Sequence, residues 1–386
     1  MIRTTFSLPR LSHRVIGIVA ALSLMMGVAA CGGDTKPSKP GADSVAGKTS
    51  TPGVPAVGGT DSTVALPEGE SVVDSTAKYP LKIAPRVGDV YSYRLTQRSI
   101  TELDGLKATE EEVYSFTHKI TGVNGDGSFT VEMRYDSIRS RKAYPAGVVD
   151  TVAHTFAYDT RGKLDTTVPN ARQARAFIGQ RVNLTVSKTG MVTEVSNLEP
   201  IISQIFGAMR DSIPPKAIEQ IRGSIKVTMF QAVVLQMFLQ NVPDTGVMLG
   251  RQWLRKDTVP VALGVGTAPS RATITYNLTE VKKTGEQLLG HVSYGLVTEF
   301  PTKKFNDASG SATLDEAVAS GSGDLLVDMT TGFPVRKTTK IFEKLKMTGT
   351  LKAGPNAGKS QTLAQSKTTN TLVEMLAYKP AAGTQQ

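Results

Sequence analysis

The chain has 386 residues, a formal net charge of +10 and one cysteine. A lone cysteine has no partner, so a disulfide framework is excluded and the fold must be held by burial. The positive excess would suit acidic headgroups or nucleic acid. The basic residues, however, are scattered along strand-like segments with no cluster interleaved with aromatics, which argues against a nucleic-acid partner.

Arg3, Arg10 and Arg14 give the amino terminus a positive region without acids, and "VIGIVAALSLMMGVAA" follows as an apolar run too short for a comfortable membrane span. This is a signal-peptide layout over residues 1–30. Removing the three leader arginines from the formal +10 leaves +7. The run closes on Val28-Ala29-Ala30-Cys31, small residues that give a peptidase access to the backbone beside the thiol. These four positions resemble the bacterial lipoprotein lipobox. The resemblance implies cleavage after Ala30, diacylglyceryl transfer to the Cys31 sulfur and a further acyl chain, palmitate for example, on the new amino terminus. Two or more chains hold a protein stably, since each buried methylene contributes about 0.8 kcal/mol. The membrane is then the first partner, reached through a lipid anchor. Gly32 in place of the aspartate that retains such proteins in the inner membrane favours the periplasmic leaflet of the outer membrane, with the cell surface or the inner membrane as alternatives.

From Cys31 to about Lys78 the chain is rich in Gly, Pro, Ser, Thr and Ala and holds no aromatic residue. Such a stretch cannot bury enough apolar surface to offset ordering entropy, and reads as a tether with a reach of roughly 35–40 Å. Residues 79–378 have the composition of a soluble β-rich domain, and 379–386 read as a flexible tail.

Within 79–378 the strand signals come in pairs. "VYSYRLTQRSI" puts Tyr91, Tyr93 and Leu95 on one face, and "EEVYSFTHKITGV" puts Tyr114, Phe116, His118 and Ile120 opposite Val113, Ser115 and Thr117. Asn124–Gly127 supplies a hairpin turn into "SFTVEMRYDSIRS", whose Phe129, Val131, Met133 and Tyr135 alternate with polar residues. A strand at "AHTFAYDT" precedes a short helix, "ARQARAFIG", with Asn170 as its cap, and a hairpin turning at Lys188-Thr189-Gly190. From about 198 to 240 the period changes to helical, as at Ile201, Ile202, Ile205, Phe206 and Met209, with Pro214 and Pro215 starting or breaking a helix. Strands then return, with turns at Lys283–Glu286 and Thr330–Gly332. The sum is about twelve strands with two or three inserted helices. The expected class is mainly β with a helical insert (α+β), as a large curved antiparallel sheet or half-barrel with helices over its concave face.

The opening "GDVYSYRLTQ", the hairpin "VNLTVSKTGMVTEV" and the late hairpin "GSGDLLVDMTTGFPVRKTT" resemble a family of uncharacterised bacterial lipoproteins known by a domain-of-unknown-function label. In architecture the order of strands, helices and strands is similar to the half-barrels of the lipoprotein-localisation factors, an associational likeness that implies a hydrophobic cavity plugged by helices.

The chemistry-bearing residues do not cluster in the sequence. His118, His154 and His291 each stand alone on a strand, which reads as surface or satisfied histidine, and Glu110–Glu112 alternate to both faces. Gly321–Asp324 lacks the Gly-x-Ser-x-Gly pattern and opens a strand. No catalytic, metal or cofactor site is therefore expected. What remains is a greasy helical face, Ile202, Phe206, Phe230, Val234, Met237 and Phe238 with Val227, that could line a pocket or fill a core. Two functions use these residues: a non-enzymatic lipoprotein binding or carrying a lipid or other hydrophobic ligand, and a structural lipoprotein displaying a filled β domain to an envelope protein partner.

Overall fold

The computed structural model describes residues 68–381 apart from 73, 75, 104, 149, 150, 166, 240, 241, 263–266, 307–309 and 353–357. The leader, Ala30, Cys31 and most of the tether stretch lie outside the described residues. Two short strands open the fold, β1 (Glu70–Ser71) and β2 (Lys78–Tyr79), so ordered structure begins ahead of Tyr79. Three long strands form the amino-terminal meander, β3 (Val90–Leu103), β4 (Leu106–Val123) and β5 (Phe129–Tyr144), followed by β6 (His154–Asp159), α1 (Ala171–Phe177), β7 (Arg181–Val186) and β8 (Val192–Ser196). The helical insert holds α2 (Glu199–Phe206), a 3₁₀ turn (Gly207–Ser212), α3 (Pro215–Ile225), a π segment (Lys226–Gln231) and α4 (Ala232–Leu235). The chain closes with β9 (Val247–Met248), β10 (Gln252–Ala262), β11 (Thr267–Thr284), β12 (Gln287–Glu299), β13 (Lys304–Asn306), β14 (Gly310–Asp328), β15 (Pro334–Leu351) and β16 (Ser360–Lys379).

Fourteen of these strands make one open, curved antiparallel sheet in the order β1-β11-β12-β14-β15-β16-β3-β4-β5-β7-β8, with β10 on β11, β13 on β14 and β6 on β5. The carboxy-terminal strand β16 lies beside β3 from Lys379↔Val90 to Gln365↔Leu103, and this ladder joins the two halves of the sheet. Period-two alternation sets the faces. Tyr91, Tyr93, Phe116, Ile120, Val131, Met133 and Tyr135 all turn inward and are buried. A bulge at Asp136, where Ser115 pairs Ser137 and Phe116 pairs Tyr135, keeps Ile138 on the same inner face.

Two cores form on that face. The larger joins the meander, β7 and β8 to the helices, and the smaller gathers Tyr79, Leu81, Trp253, Tyr276, Leu278, Val292 and Leu325 at one end of the carboxy-terminal strands. Between them runs the segment Leu81–Ala84. The Ala84 amide donates to the Thr331 carbonyl at 2.9 Å, and Ile83 packs against the Gly190 turn and the backbone of Gly332. Tyr91, on the strand that follows, stacks on Phe333 at 4.1 Å and 4°. The three motifs that carry the sequence resemblance thus meet around the entering chain. Asp89 is fully buried there, accepting from Tyr91 Oη at 3.1 Å, Tyr378 Oη at 3.3 Å and the Ala381 amide at 3.0 Å. Those contacts pin the residues just after Lys379.

Asn170 does precede α1, but it holds a left-handed backbone (φ 65°) and makes no side-chain cap hydrogen bond. Asparagine is tolerated in that region better than most residues, and its value here is conformational.

Candidate functional site

The insert residues sit where helix and sheet meet. Ile202 (0% exposed), Phe206 (9%), Phe230, Val234, Met237 and Phe238 are all buried in the larger core. Phe230 packs on Tyr135 and Phe177, while Phe238 meets Phe129 and Phe333 edge-on at 5.9 and 5.2 Å. The Tyr135 hydroxyl donates to the Met229 carbonyl, within the π segment. A π turn leaves the regular i→i−4 ladder, and here one of its carbonyls is taken by the sheet. Val227 is half-buried. The interface is closely packed, so Ile202→Ala is expected to destabilise the lipid-free chain by about 2–4 kcal/mol, read as a shift of the urea midpoint at unchanged m.

Glu110 and Glu112 share the inner face, and Glu111 points out to Arg98 and Arg139. Lys142 Nζ lies 3.6 Å from Glu110 and 3.1 Å from Glu112, Tyr114 donates to Glu112 at 2.7 Å, and Tyr144 donates to Glu110 at 2.8 Å. Burial alone would lower the Lys142 pKa, but the carboxylates outweigh it and raise it. Burial, reinforced by the carboxylates, also raises both tyrosines. Every charge here has its partner, which suits a cross-strand clamp and leaves no poised acid or base. This grouping escaped sequence reasoning because Lys142 meets Glu110 and Glu112 only through the register of a bulged hairpin.

The histidines separate into three environments. His154 stacks on Phe156. His291 accepts or donates at both ring nitrogens, 2.9 Å from Thr279 Oγ1 and 3.1 Å from Asp324 Oδ1, on the outer face. The order hydroxyl, imidazole, carboxylate is that of a nucleophilic triad. Thr279 Oγ1 also reaches the His291 carbonyl at 3.1 Å, next to the bulge between Leu278 and Glu280, so the group fastens that bulge. His118 departs from the expectation of a surface or satisfied residue: it is 1% exposed between Tyr93 and Phe116, neither ring nitrogen has a hydrogen-bond partner among the described residues, and burial pushes its pKa down to about 3. Among the described residues no group of three or more metal-ligating side chains converges, and no helix is long and apolar enough to cross a membrane.

The inner face of the carboxy-terminal half is different. Ile274 of β11, Leu296 of β12 and Ile341 of β15 lie in one row across the sheet, aligned through Gly321 of β14, and are partly buried, Ile274 against the smaller core. This row borders the smaller core and, unlike the insert residues named above, is not fully buried.

Comparison with known proteins adds a family. No curated protein matches the sequence. Among solved structures, lipovitellin, studied for lipid–protein interactions, shares 10% identity at a TM-score of 0.40 over 78% of this chain, which spans 26% of the lipovitellin chain, about a quarter of its length. The β domain of the Bordetella autotransporter BrkA shares 7% identity at a TM-score of 0.17 over 74% of this chain and 98% of its own. Pseudomonas aeruginosa OccK2 in complex with glucuronate shares 6% at 0.15, over 75% and 97%. Likenesses this low carry no argument about function. The DUF6263 family of unknown function matches residues 126–334, over half of the 386 residues, from the β4–β5 turn to the start of β15, and the chain belongs to that family.

Proposed function

We propose that this protein is an exported, lipid-anchored, non-enzymatic envelope protein that takes a hydrophobic ligand on the inner face of its curved sheet. The observation that carries the ligand half is the partly buried row of Ile274, Leu296 and Ile341, apolar surface left incompletely covered on the inner face of an open sheet. The anchor half rests on the leader and Val28-Ala29-Ala30-Cys31. A second reading, a filled β domain displayed to an envelope protein, is favoured by the complete burial of Ile202, Phe230, Val234 and Met237.

Cys31→Ser is expected to abolish acylation and release the protein from the membrane fraction, since no other cysteine is present. Intact-protein mass spectrometry of the membrane and soluble fractions checks it, and an unchanged membrane-bound mass would remove the anchor. For the ligand, solvent extraction of both forms, purified from the same cells, should yield a stoichiometric lipid other than the covalent chains. Lipid-free protein from both forms would leave the display reading.

A further inference from the structure

One small cavity on the inner face has charged walls. Across β14, β15 and β16 the register sets Ala319 beside Glu343 and Glu343 beside Lys367, and Leu345 beside Gln365 forms the next inner row. Alanine at 319 leaves space above the sheet, and a cavity opens there between Phe300, Ala319, Leu345 and the three polar residues. It offers about 10 Å³ to the centre of a water-sized sphere, the room of a single water molecule.

Packing does not account for these polar groups. Lys367 is 5% exposed and Gln365 7%, both line the cavity, and neither has a hydrogen bond or ion pair among the described residues. Burial raises the Glu343 pKa and the Lys367 charge opposes that rise, so the two groups interact through space without closing into an ion pair. Lys142 shows the closed alternative on the same inner face, with Nζ at 3.1 Å from Glu112 and 3.6 Å from Glu110. Buried polar groups left without partners are costly, and few native ones stay so. A small group seated in the cavity would complete the ammonium, the amide and the carboxylate together.

The chemistry of the walls defines that group. It must accept from an ammonium and donate to a carboxylate, and a hydroxyl does both through one oxygen. A hydroxyl also has the size of the space. A ligand carboxylate would meet Glu343 and a ligand ammonium would meet Lys367, a like-charge approach in either case. A zwitterionic phospholipid head would balance both charges but needs many times the room. Two residues back along β15, roughly 7 Å away, stands Ile341, aligned with Leu296 through Gly321. Apolar surface therefore begins one inner row from the charged walls.

Resting on the reading that the inner face takes a hydrophobic ligand, we propose that the ligand is a long-chain alcohol. Its hydroxyl sits among Lys367, Glu343 and Gln365, and its chain lies along Ile341 and Leu296.

The test uses the full chain carrying Cys31→Ser, titrated by calorimetry at about pH 8, where carboxylates and amines are both charged. The probes are dodecanol, dodecanoate, dodecylamine and a single-chain lysophosphatidylethanolamine, each below its aggregation concentration. Dodecanol is expected to bind one to one and about ten-fold tighter than either charged chain, the margin of one like-charge contact. Glu343→Gln keeps the ammonium and removes the repulsion, so dodecanoate should overtake dodecanol. Lys367→Met keeps the carboxylate, and there dodecylamine should overtake it. Circular dichroism and melting check both folds, and should one variant fail to fold the other carries the reversal. Equal binding of the three dodecyl compounds, tighter binding of a charged chain or of the lysophospholipid by the Cys31→Ser protein, or an unchanged order in a folded variant would each overturn the hydroxyl site while leaving a hydrophobic ligand in place. Binding of none of the four overturns the hydroxyl site, and lipid-free protein on extraction would then overturn the reading beneath it as well.

Discussion

Gly332→Ala is expected to destabilise the protein by about 3–5 kcal/mol, among the largest effects of any single methyl group in the chain. The residue has φ +73°, where an L side chain is strained, and a Cβ there would stand 2.4 Å from the Lys82 carbonyl oxygen and 2.7 Å from Ile83 Cα. Both obstacles are backbone, so neither can rotate away. Gly105, at φ +80° with nothing within 4 Å of its virtual Cβ, is the control, and alanine there should cost only the conformational part, about 1 kcal/mol. Urea denaturation of both variants checks the difference. Hydrogen exchange should show where it is spent: the Ala84 amide, bonded to the Thr331 carbonyl, should lose protection before the strands do. Equal costs at the two glycines would mean that the entering segment is not wedged as described.

The second large effect is an acid one. His118 has a folded pKa of about 3 against an ordinary 6.5, because burial penalises the imidazolium. The unfolded chain therefore binds the proton first. The stability is fully present above pH 6.5 and is lost as pH falls from there towards 3, at about 1.4 kcal/mol per unit. Between pH 7.5 and 4.5 this one residue should remove about 3 kcal/mol. His118→Phe should flatten that part of the profile and, by deleting two ring nitrogens without partners, leave stability at pH 7.5 unchanged or raise it by about 1 kcal/mol. Urea midpoints of the two proteins across this range test it. Parallel profiles would show that His118 is hydrated or partnered in solution.

Much of the fold was legible because its signals are local. The inward set Tyr91, Tyr93, Leu95 and the set Phe116, His118, Ile120 follow from alternation, and Gly190, Gly285 and Gly332, all at positive φ, mark hairpin turns where the sequence has glycine after polar residues. The twelve strands expected are the twelve longer than three residues, and α2 to α4 fall within 198–240. What alternation cannot reveal is order. The pairing of β16 with β3 joins residues over 260 positions apart, and it brings Ser99 against Thr369 at 3.3 Å in a buried row that reads as exposed in sequence. The π segment was illegible for a similar reason, since the Tyr135 hydroxyl that engages it comes from a distant strand. The site was the least legible part. Ile274, Leu296 and Ile341 look like ordinary strand residues until the register of β11, β12, β14 and β15 lines them up in one row.

The way the chain enters the sheet has a mechanical meaning. A pull on the amino-terminal end meets first β1, two residues at the margin of the large sheet, and β2, two residues paired with β9 in a separate two-stranded sheet. Beyond them lies the wedge at Ile83 and Gly332, and then β3, fourteen residues long and gripped on both sides by β16 and β4, which must be sheared rather than peeled. Residues 68–83 would unspool roughly 55 Å of contour before the load reached that strand. Under the proposed anchor at Cys31, the amino-terminal strands would give way first and lengthen the connection while the sheet and its inner face keep their shape.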